Sequence, residues 1–154
     1  NYHINMVYVA EDGVYFSGLH SRALLRLFSD MTIAQVCSLP EGVHNAKPFL
    51  NGIIFNDTKS DVLRYIDRAG DSKVFKVPSY NEEDLQFHGV DSTQIARQAF
   101  GRGLCTVNDQ VVAAGSSPST VSLYDIRSGE RIAAVNLTMD IRNAIHGLEV
   151  WPFE

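Results

Sequence analysis

A basic residue opens several apolar, strand-like runs of this 154-residue chain. These residues are His3 in "NYHINMVYV", His44 in "GVHNAKPFL", Arg102 in "FGRGLCTV" and His146 in "AIHGLEVW". Imidazole titrates near neutral pH and binds metals when it is neutral. A guanidinium holds carboxylate, sulfate or phosphate with a fixed fork of donors. If the fold brings these four side chains together, we expect an anion site or a metal site.

The same four residues also have a purely structural interpretation. A histidine that opens one sheet can hydrogen-bond the backbone of the next sheet and lock the two together. The glycines beside Arg102 and His146 permit close approach to a ligand, but they suit a tight bend equally well. Both interpretations stay open on the sequence alone.

The elements that would position these residues are short strands joined by turns. Hairpin signals occur at Asp12-Gly13, Asn51-Gly52 and Asn108-Asp109, because Asn, Asp and Gly tolerate the backbone angles of tight turns. A polar loop and a second hairpin follow each of them, as in "TVSLYDIRSGERIAAVNL". The sequence therefore predicts a repeated unit of four antiparallel strands.

The spacing of the units favours a β-propeller. Their period is about 40 residues, the length of a propeller blade, once a polar insertion over 79–96 is set aside. We predict an all-β, propeller-type fold with blades at 1–42, 43–78 and 97–138 and the start of another at 144–154. A β-sandwich is the alternative, since it also strings short strands between regular turns. Repetition of a whole four-stranded unit favours the propeller.

About three and a half blades cannot close a ring by themselves. An open ring leaves unpaired strand edges and an exposed core. We therefore expect either further blades of the same protein or a homo-oligomer that completes the ring.

Composition narrows the classes of partner. The chain is 45% hydrophobic and 20% charged, as in soluble globular proteins, and its formal net charge is −5. Scattered basic residues in an acidic chain argue against nucleic acid, and no apolar run reaches the roughly 20 residues of a membrane-spanning helix. Cys37 and Cys105 lie in apolar runs and are interpreted as buried, reduced thiols, which favours a cytoplasmic location.

Other residues that could do chemistry give weaker signals. They are His20, His88, Asp57, Lys59, Glu82, Glu83, Asp84, Ser116 and Ser117. We expect the histidines and their polar neighbours to be solvated loop residues. The acidic cluster suits the start of a short helix better than a cation site, and a second helical turn is expected in "STQIARQAF". No base accompanies the two serines, so a covalent nucleophile is unsupported.

Residues 97–152 resemble the C-terminal part of an uncharacterised bacterial family of propeller-like proteins. In that family an aromatic residue and Arg-Gly-Leu precede a strand ending in Gly-Ser, and a strand with Asp, Arg and Ser-Gly-Glu follows. The matching positions are Phe100, Arg102, Gly103, Leu104, Gly115, Ser116, Asp125, Arg127, Ser128, Gly129 and Glu130. Residues 43–70 are more distantly similar to blades of arylsulfotransferase-like and strictosidine-synthase-like propellers. The resemblance implies the fold and leaves the activity open, since such folds support enzymes and binding modules alike.

The leading functional hypothesis is a propeller-type binding module. It would hold a small anionic ligand or a protein partner at the channel face through His3, His44, Arg102 and His146. The alternative is an enzyme, namely a hydrolase, lyase or group transferase, whose channel histidines act as general acid and base or bind a metal. A half-propeller with a structural role is the third hypothesis. No cofactor is predicted, although the channel histidines could hold a divalent metal, and neither nucleic acid nor membrane is expected as a partner.

Overall fold

The computed structural model describes residues 2–87 and 97–153. Three antiparallel sheets of four strands each follow the chain order, and we name them blades 1, 2 and 3. Blade 1 contains β1 (Ile4–Ala10), β2 (Gly13–Gly18), β3 (Ala23–Leu27) and β4 (Ile33–Ser38). Blade 2 contains β5 (Val43–Phe49), β6 (Gly52–Asp57), β7 (Val62–Asp67) and β8 (Ser72–Lys76). Blade 3 contains β9 (Arg102–Thr106), β10 (Val111–Ser116), β11 (Thr120–Asp125) and β12 (Glu130–Asn136). The all-β prediction is confirmed.

The first hairpin of blade 2 shows how the local sequence sets the turn. Phe49 pairs with Gly52, so the turn residues are Leu50 and Asn51, one position earlier than predicted. Leu50 adopts the left-handed region, with a φ of 50°. A Cβ atom on Gly52 would clash with the Ile66 carbonyl oxygen. Glycine therefore serves here to let β7 approach β6 closely.

Blade 2 shares a hydrophobic core with each of its neighbours. Phe55 of β6 belongs to the core shared with blade 1, and the adjacent Ile54 belongs to the core shared with blade 3. Successive strand residues point to opposite faces, so the apolar run of β6 fills both cores. The blade 1–2 core contains Tyr15, Leu24, Leu39, Val43, Ala46 and Phe55. The blade 2–3 core contains Phe49, Ile54, Leu63, Tyr65, Phe75, Leu104, Val112, Ala114, Tyr124 and Ile126.

Exposure separates the inner strands from the outer ones. Strand β5 is almost wholly buried, whereas the outer strands β4 and β12 are largely exposed. Cys105 of the inner strand β9 is accordingly buried, but Cys37 of β4 is only partly so, which corrects the prediction of two buried thiols. The three blades form an open arc in which the inner strands β1, β5 and β9 lie side by side.

The segments outside the blades are mostly irregular. One turn of 3₁₀-helix, η1, spans Glu82–Asp84 within the predicted insertion, and the second predicted helical turn falls mainly in residues 88–96, outside the described residues. The start of a further blade at 144–154 stays a prediction: residues 144–153 form no strand, although Ile145 packs closely on Gly115 of β10. No helix in the described parts of the chain is long and apolar enough to cross a bilayer.

Candidate functional site

All four basic residues singled out in the sequence line one cavity of about 190 Å³. His44 lies in β5, Arg102 begins β9, His3 directly precedes β1, and His146 lies in the segment after β12. Ile4, Asn5 and Asn45 complete the lining. Because the inner strands lie side by side, the residues that open successive blades meet at one end of these strands. We name this space the histidine cavity.

Arg102 joins two of the imidazoles. Its Nη1 lies 3.2 Å from His146 Nδ1, and its Nη2 lies 3.4 Å from His44 Nε2. A guanidinium can only donate hydrogen bonds, so both imidazole nitrogens must accept. The buried His44 ring is therefore neutral in this arrangement, and the positive charge belongs to Arg102.

The far side of the His44 ring fixes its tautomer and also ties blade 2 to blade 3. With Nε2 accepting, Nδ1 carries the hydrogen and donates to Thr58 Oγ1 at 2.9 Å. The Thr58 hydroxyl in turn donates to the carbonyl oxygen of Gly101 at 2.8 Å. His44 is 2% exposed, so these hydrogen bonds form away from water. The structural interpretation and the site interpretation both apply to this residue.

Burial controls the electrostatics of the cavity. Desolvation, followed by repulsion from Arg102, lowers the pKa of His44 to about 4. Desolvation also lowers the pKa of Arg102, which remains a cation because arginine does not lose its proton in proteins. At neutral pH the cavity therefore presents one guanidinium beside a neutral, buried imidazole.

Phe100 supports the site from the side, and the sequence analysis assigned it no role there. Its ring lies 5.0 Å from Arg102 Cζ and meets the His44 ring edge-to-face at 5.4 Å between centroids. Arg97 stacks on the same ring and bonds to Asp61 and to the Thr58 carbonyl oxygen. The signal for Phe100 was its place before the Gly-Arg-Gly run.

Asn45 is a second residue that the sequence analysis missed. It has a φ of 56°, in the left-handed region where Asn is one of the better tolerated residues. Its Oδ1 accepts from the Gly103 backbone N–H at 2.9 Å, and its Nδ2 donates to the Asn5 carbonyl oxygen at 3.4 Å. One side chain thus connects the inner strands of all three blades. The signal was an Asn directly after the blade-opening His44.

The weaker candidates do not join the site. His20 is exposed. Asp57 was expected in a loop, but it lies in β6, is buried there and pairs with Arg64 at 3.1 Å. Exposed Lys59 faces Glu41 at 3.9 Å. The acidic cluster forms the first turn of η1, as expected, and His88 lies outside the described residues. Ser116 and Ser117 are buried, and the Ser117 hydroxyl donates to the Ile141 carbonyl oxygen.

Among residues 2–87 and 97–153, no group of three or more His, Cys, Asp or Glu side chains is arranged to hold a metal ion. The three histidines of the cavity share it with a guanidinium, whose charge would repel a dication at close range. The arrangement of the described side chains suits an anion better than a metal.

Comparison with known proteins identifies the architecture. No protein-family model matches the chain, and no curated protein matches it. Among solved structures it is similar to a catalytically inactive virginiamycin B lyase from Staphylococcus aureus with quinupristin, at a TM-score of 0.56 and 14% identity, over 87% of this chain and 41% of that one. Selenomethionine-substituted virginiamycin B lyase from the same organism gives a TM-score of 0.48 at 14% identity, over 81% and 42%. The N-terminal domain of Nup159 gives 0.46 at 17% identity, over 88% and 31%.

The chain thus spans less than half the length of each of these structures. Likeness at this level of identity establishes the fold alone. The propeller prediction is confirmed, the β-sandwich alternative is wrong, and the predicted resemblance holds at the level of a propeller-like protein. The chain has the fold of an incomplete β-propeller.

Proposed function

We propose that this chain is a propeller-type binding module whose histidine cavity binds a small oxyanion such as a carboxylate, sulfate or phosphate. The observation that carries the proposal is the state of Arg102. This partly buried guanidinium contacts two imidazole nitrogens and an aromatic ring, and no carboxylate within the described residues lies within ion-pair distance of it. A bound oxyanion would supply the missing negative charge.

The size and polarity of the cavity support a small ligand. A space of about 190 Å³ accommodates an oxyanion with little else. His3 and His146 are exposed at its edge, where their ring N–H groups can reach a bound anion. Arg102 supplies the charge, and the two edge imidazoles supply directional hydrogen bonds, whereas the single N–H of His44 is already bonded to Thr58.

The enzyme hypothesis has less support from the same geometry. A general acid or base works best when its pKa lies near the working pH. Burial and Arg102 hold the pKa of His44 at about 4, so this ring gains no proton near neutrality. A protein partner, a cytoplasmic location, a metal at the channel histidines and a ring completed by association stay predictions.

Calorimetric titration of the purified chain with sulfate, phosphate and acetate at pH 7 and low salt tests the proposal. We expect saturable binding that weakens at least tenfold in Arg102→Gln. Arg22→Gln is the matched control, because Arg22 is an exposed arginine of blade 1 that pairs with Glu41. This variant should bind the anions with wild-type affinity.

Two results would overturn the proposal. One is the absence of saturable anion binding, or binding that is unchanged in Arg102→Gln. The other is tight binding of Zn²⁺ or Mg²⁺ that disappears in the His44→Ala/His146→Ala double variant. That second result would favour the metal-dependent alternative.

A further inference from the structure

A second cavity of about 420 Å³ lies farther along the same inner strands. Its lining includes Met6, Tyr8, Asn45, Lys47, Leu104 and Glu149. Asn45 also lines the histidine cavity, so one side chain borders both spaces. We name this second space the lysine cavity.

The two cavities lie at successive levels along the same inner strands. Each inner segment lines the histidine cavity first and the lysine cavity a few residues later. The order is His44 then Lys47 on β5, Arg102 then Leu104 on β9, and His146 then Glu149 in the last segment. β1 behaves in the same way. Segments that share this order run parallel to one another, and the cavities are stacked along their length.

Lys47 places a buried ammonium group at the lysine cavity. The residue is only 4% exposed, and burial of an ammonium group without a countercharge is costly. Its Nζ donates to Thr106 Oγ1 at 3.3 Å and lies 4.8 Å from the centre of the Tyr8 ring. Both partners are neutral, and an ammonium has three N–H donors to satisfy.

The titratable neighbours do not neutralise Lys47. Cys105 of β9 faces it, but burial raises the pKa of that thiol and keeps it neutral. Glu149 also faces it and raises the pKa of Lys47, but less than burial lowers it, and the two side chains form no ion pair in the described part of the chain. Desolvation accordingly lowers the pKa of Lys47. An anion placed in the lysine cavity would reverse that penalty.

We infer that the two cavities together accept one ligand with two acidic groups joined by a short uncharged spacer. This inference rests on the proposed function: the first acidic group occupies the histidine cavity on Arg102, and the second accepts from Lys47 Nζ. Met6 and Leu104 lie along the spacer and suit methylene groups. His44 and Lys47 are three residue steps apart on β5, a span of at most about 10 Å, and the irregular pairing between them shortens this span. Dicarboxylates of moderate length fit that distance.

The test compares monocarboxylates with dicarboxylates of equal chain length, from succinate to suberate, by calorimetry at pH 7. We expect one dicarboxylate to bind at least tenfold more tightly than its monocarboxylate. In Lys47→Met this advantage should fall to less than twofold. Lys59→Met is the matched control, since Lys59 is an exposed lysine of the same blade, and it should retain the advantage.

Glu149→Gln gives a second test that does not require removal of a buried residue. If the second group of the ligand is an anion, loss of this neighbouring carboxylate strengthens dicarboxylate binding about threefold. Weaker dicarboxylate binding in Glu149→Gln would overturn the inference.

The experiments distinguish failure of this inference from failure of the proposed function. If monocarboxylates bind through Arg102 but no dicarboxylate gains affinity, the inference is wrong and the proposed function stands. If neither class of carboxylate binds but sulfate or phosphate does, the inference is wrong and the proposed function stands. If none of these anions binds, the proposed function itself is wrong. If the dicarboxylate advantage persists in Lys47→Met, the second level has been assigned to the wrong residue.

Discussion

His3 and His44 both lie near the start of the inner strand of their blade, but their surroundings differ, since His3 directly precedes β1 and His44 is the second residue of β5. His44 is buried between Thr58 and Arg102, at the junction of blades 2 and 3. His3 is exposed, immediately before the inner strand of blade 1. Blade 2 has a packed neighbour on each side, whereas blade 1 shares a core only with blade 2 in the described structure. Position in the repeat brings both residues to the channel, and the neighbouring blade decides their chemistry.

Because of this difference, the buried and the exposed histidines have different roles in the histidine cavity. His44 is held neutral and anchored to the backbone of blade 3 through Thr58 and Gly101. It positions Arg102 and stabilises the junction between the blades. His3 and His146 are exposed at the edge, where they are accessible to a ligand. The buried histidine should therefore matter most to the fold, and the edge histidines most to binding.

The largest expected effect follows from removing the buried ring. His44→Ala should lower the free energy of unfolding by about 3 kcal/mol, because it leaves a cavity beside Phe100 and removes a hydrogen-bond partner from both Thr58 and Arg102. His3→Asn should change it by less than about 0.5 kcal/mol, as exposed positions usually do. Asn is the chosen replacement because His3 has a φ of 45°, which Asn tolerates well. Urea denaturation measures the free energy of unfolding of both variants. Equal losses of stability would contradict the difference between the buried and the exposed histidine.

A somewhat smaller effect is expected from pH. The pKa of His44 is about 4 in the folded chain and 6.5 in the reference state. Between these values the unfolded chain binds a proton that the folded chain does not, so stability is present above pH 6.5 and is lost as the pH falls towards 4. The loss between pH 7.5 and pH 5 should be about 2 kcal/mol.

Comparison of wild type with His44→Gln isolates this contribution, because the other titrating groups are common to both chains. Urea denaturation at a series of pH values provides the measurement. The difference in free energy of unfolding between wild type and His44→Gln should decrease as the pH falls. A difference that is independent of pH would show that His44 is not buried in its neutral form.

The smallest expected effect concerns the edge of the cavity. His146→Asn should change the free energy of unfolding by less than about 0.5 kcal/mol. It should nevertheless weaken sulfate binding about threefold, the equivalent of one modest hydrogen bond. Calorimetry and urea denaturation on the same preparation separate the two effects. A loss of stability as large as that of His44→Ala would contradict the division between buried and edge histidines.

Much of the architecture could be predicted from local patterns. Alternating apolar residues, turn residues and the period of about 40 residues indicated four-stranded units in succession, because strand pairing across short turns depends on nearby residues. The same pattern placed His3, His44, Arg102 and His146 at the openings of the units. Their convergence on one cavity follows from that placement.

The contacts between blades could not be predicted in this way. Thr58, Phe100 and Asn45 support the cavity through bonds or ring contacts with residues far away in the chain. Asp57 was expected in a loop, but it lies in β6 and pairs with Arg64 of β7. Lys47 gave no signal, because a lysine in a strand is ordinarily exposed. Only the packing of blade 2 between its neighbours buries it.

The sequence by itself determined the succession of strands and turns and the basic residue at the opening of each unit, since these depend on alternation and spacing along the chain. The tertiary structure alone decided which imidazole is buried and neutral, which cations form no ion pair in the described part of the chain, and that two cavities are stacked along the same strands. Burial, hydrogen bonding and pKa are set by side chains that blades distant in sequence bring together.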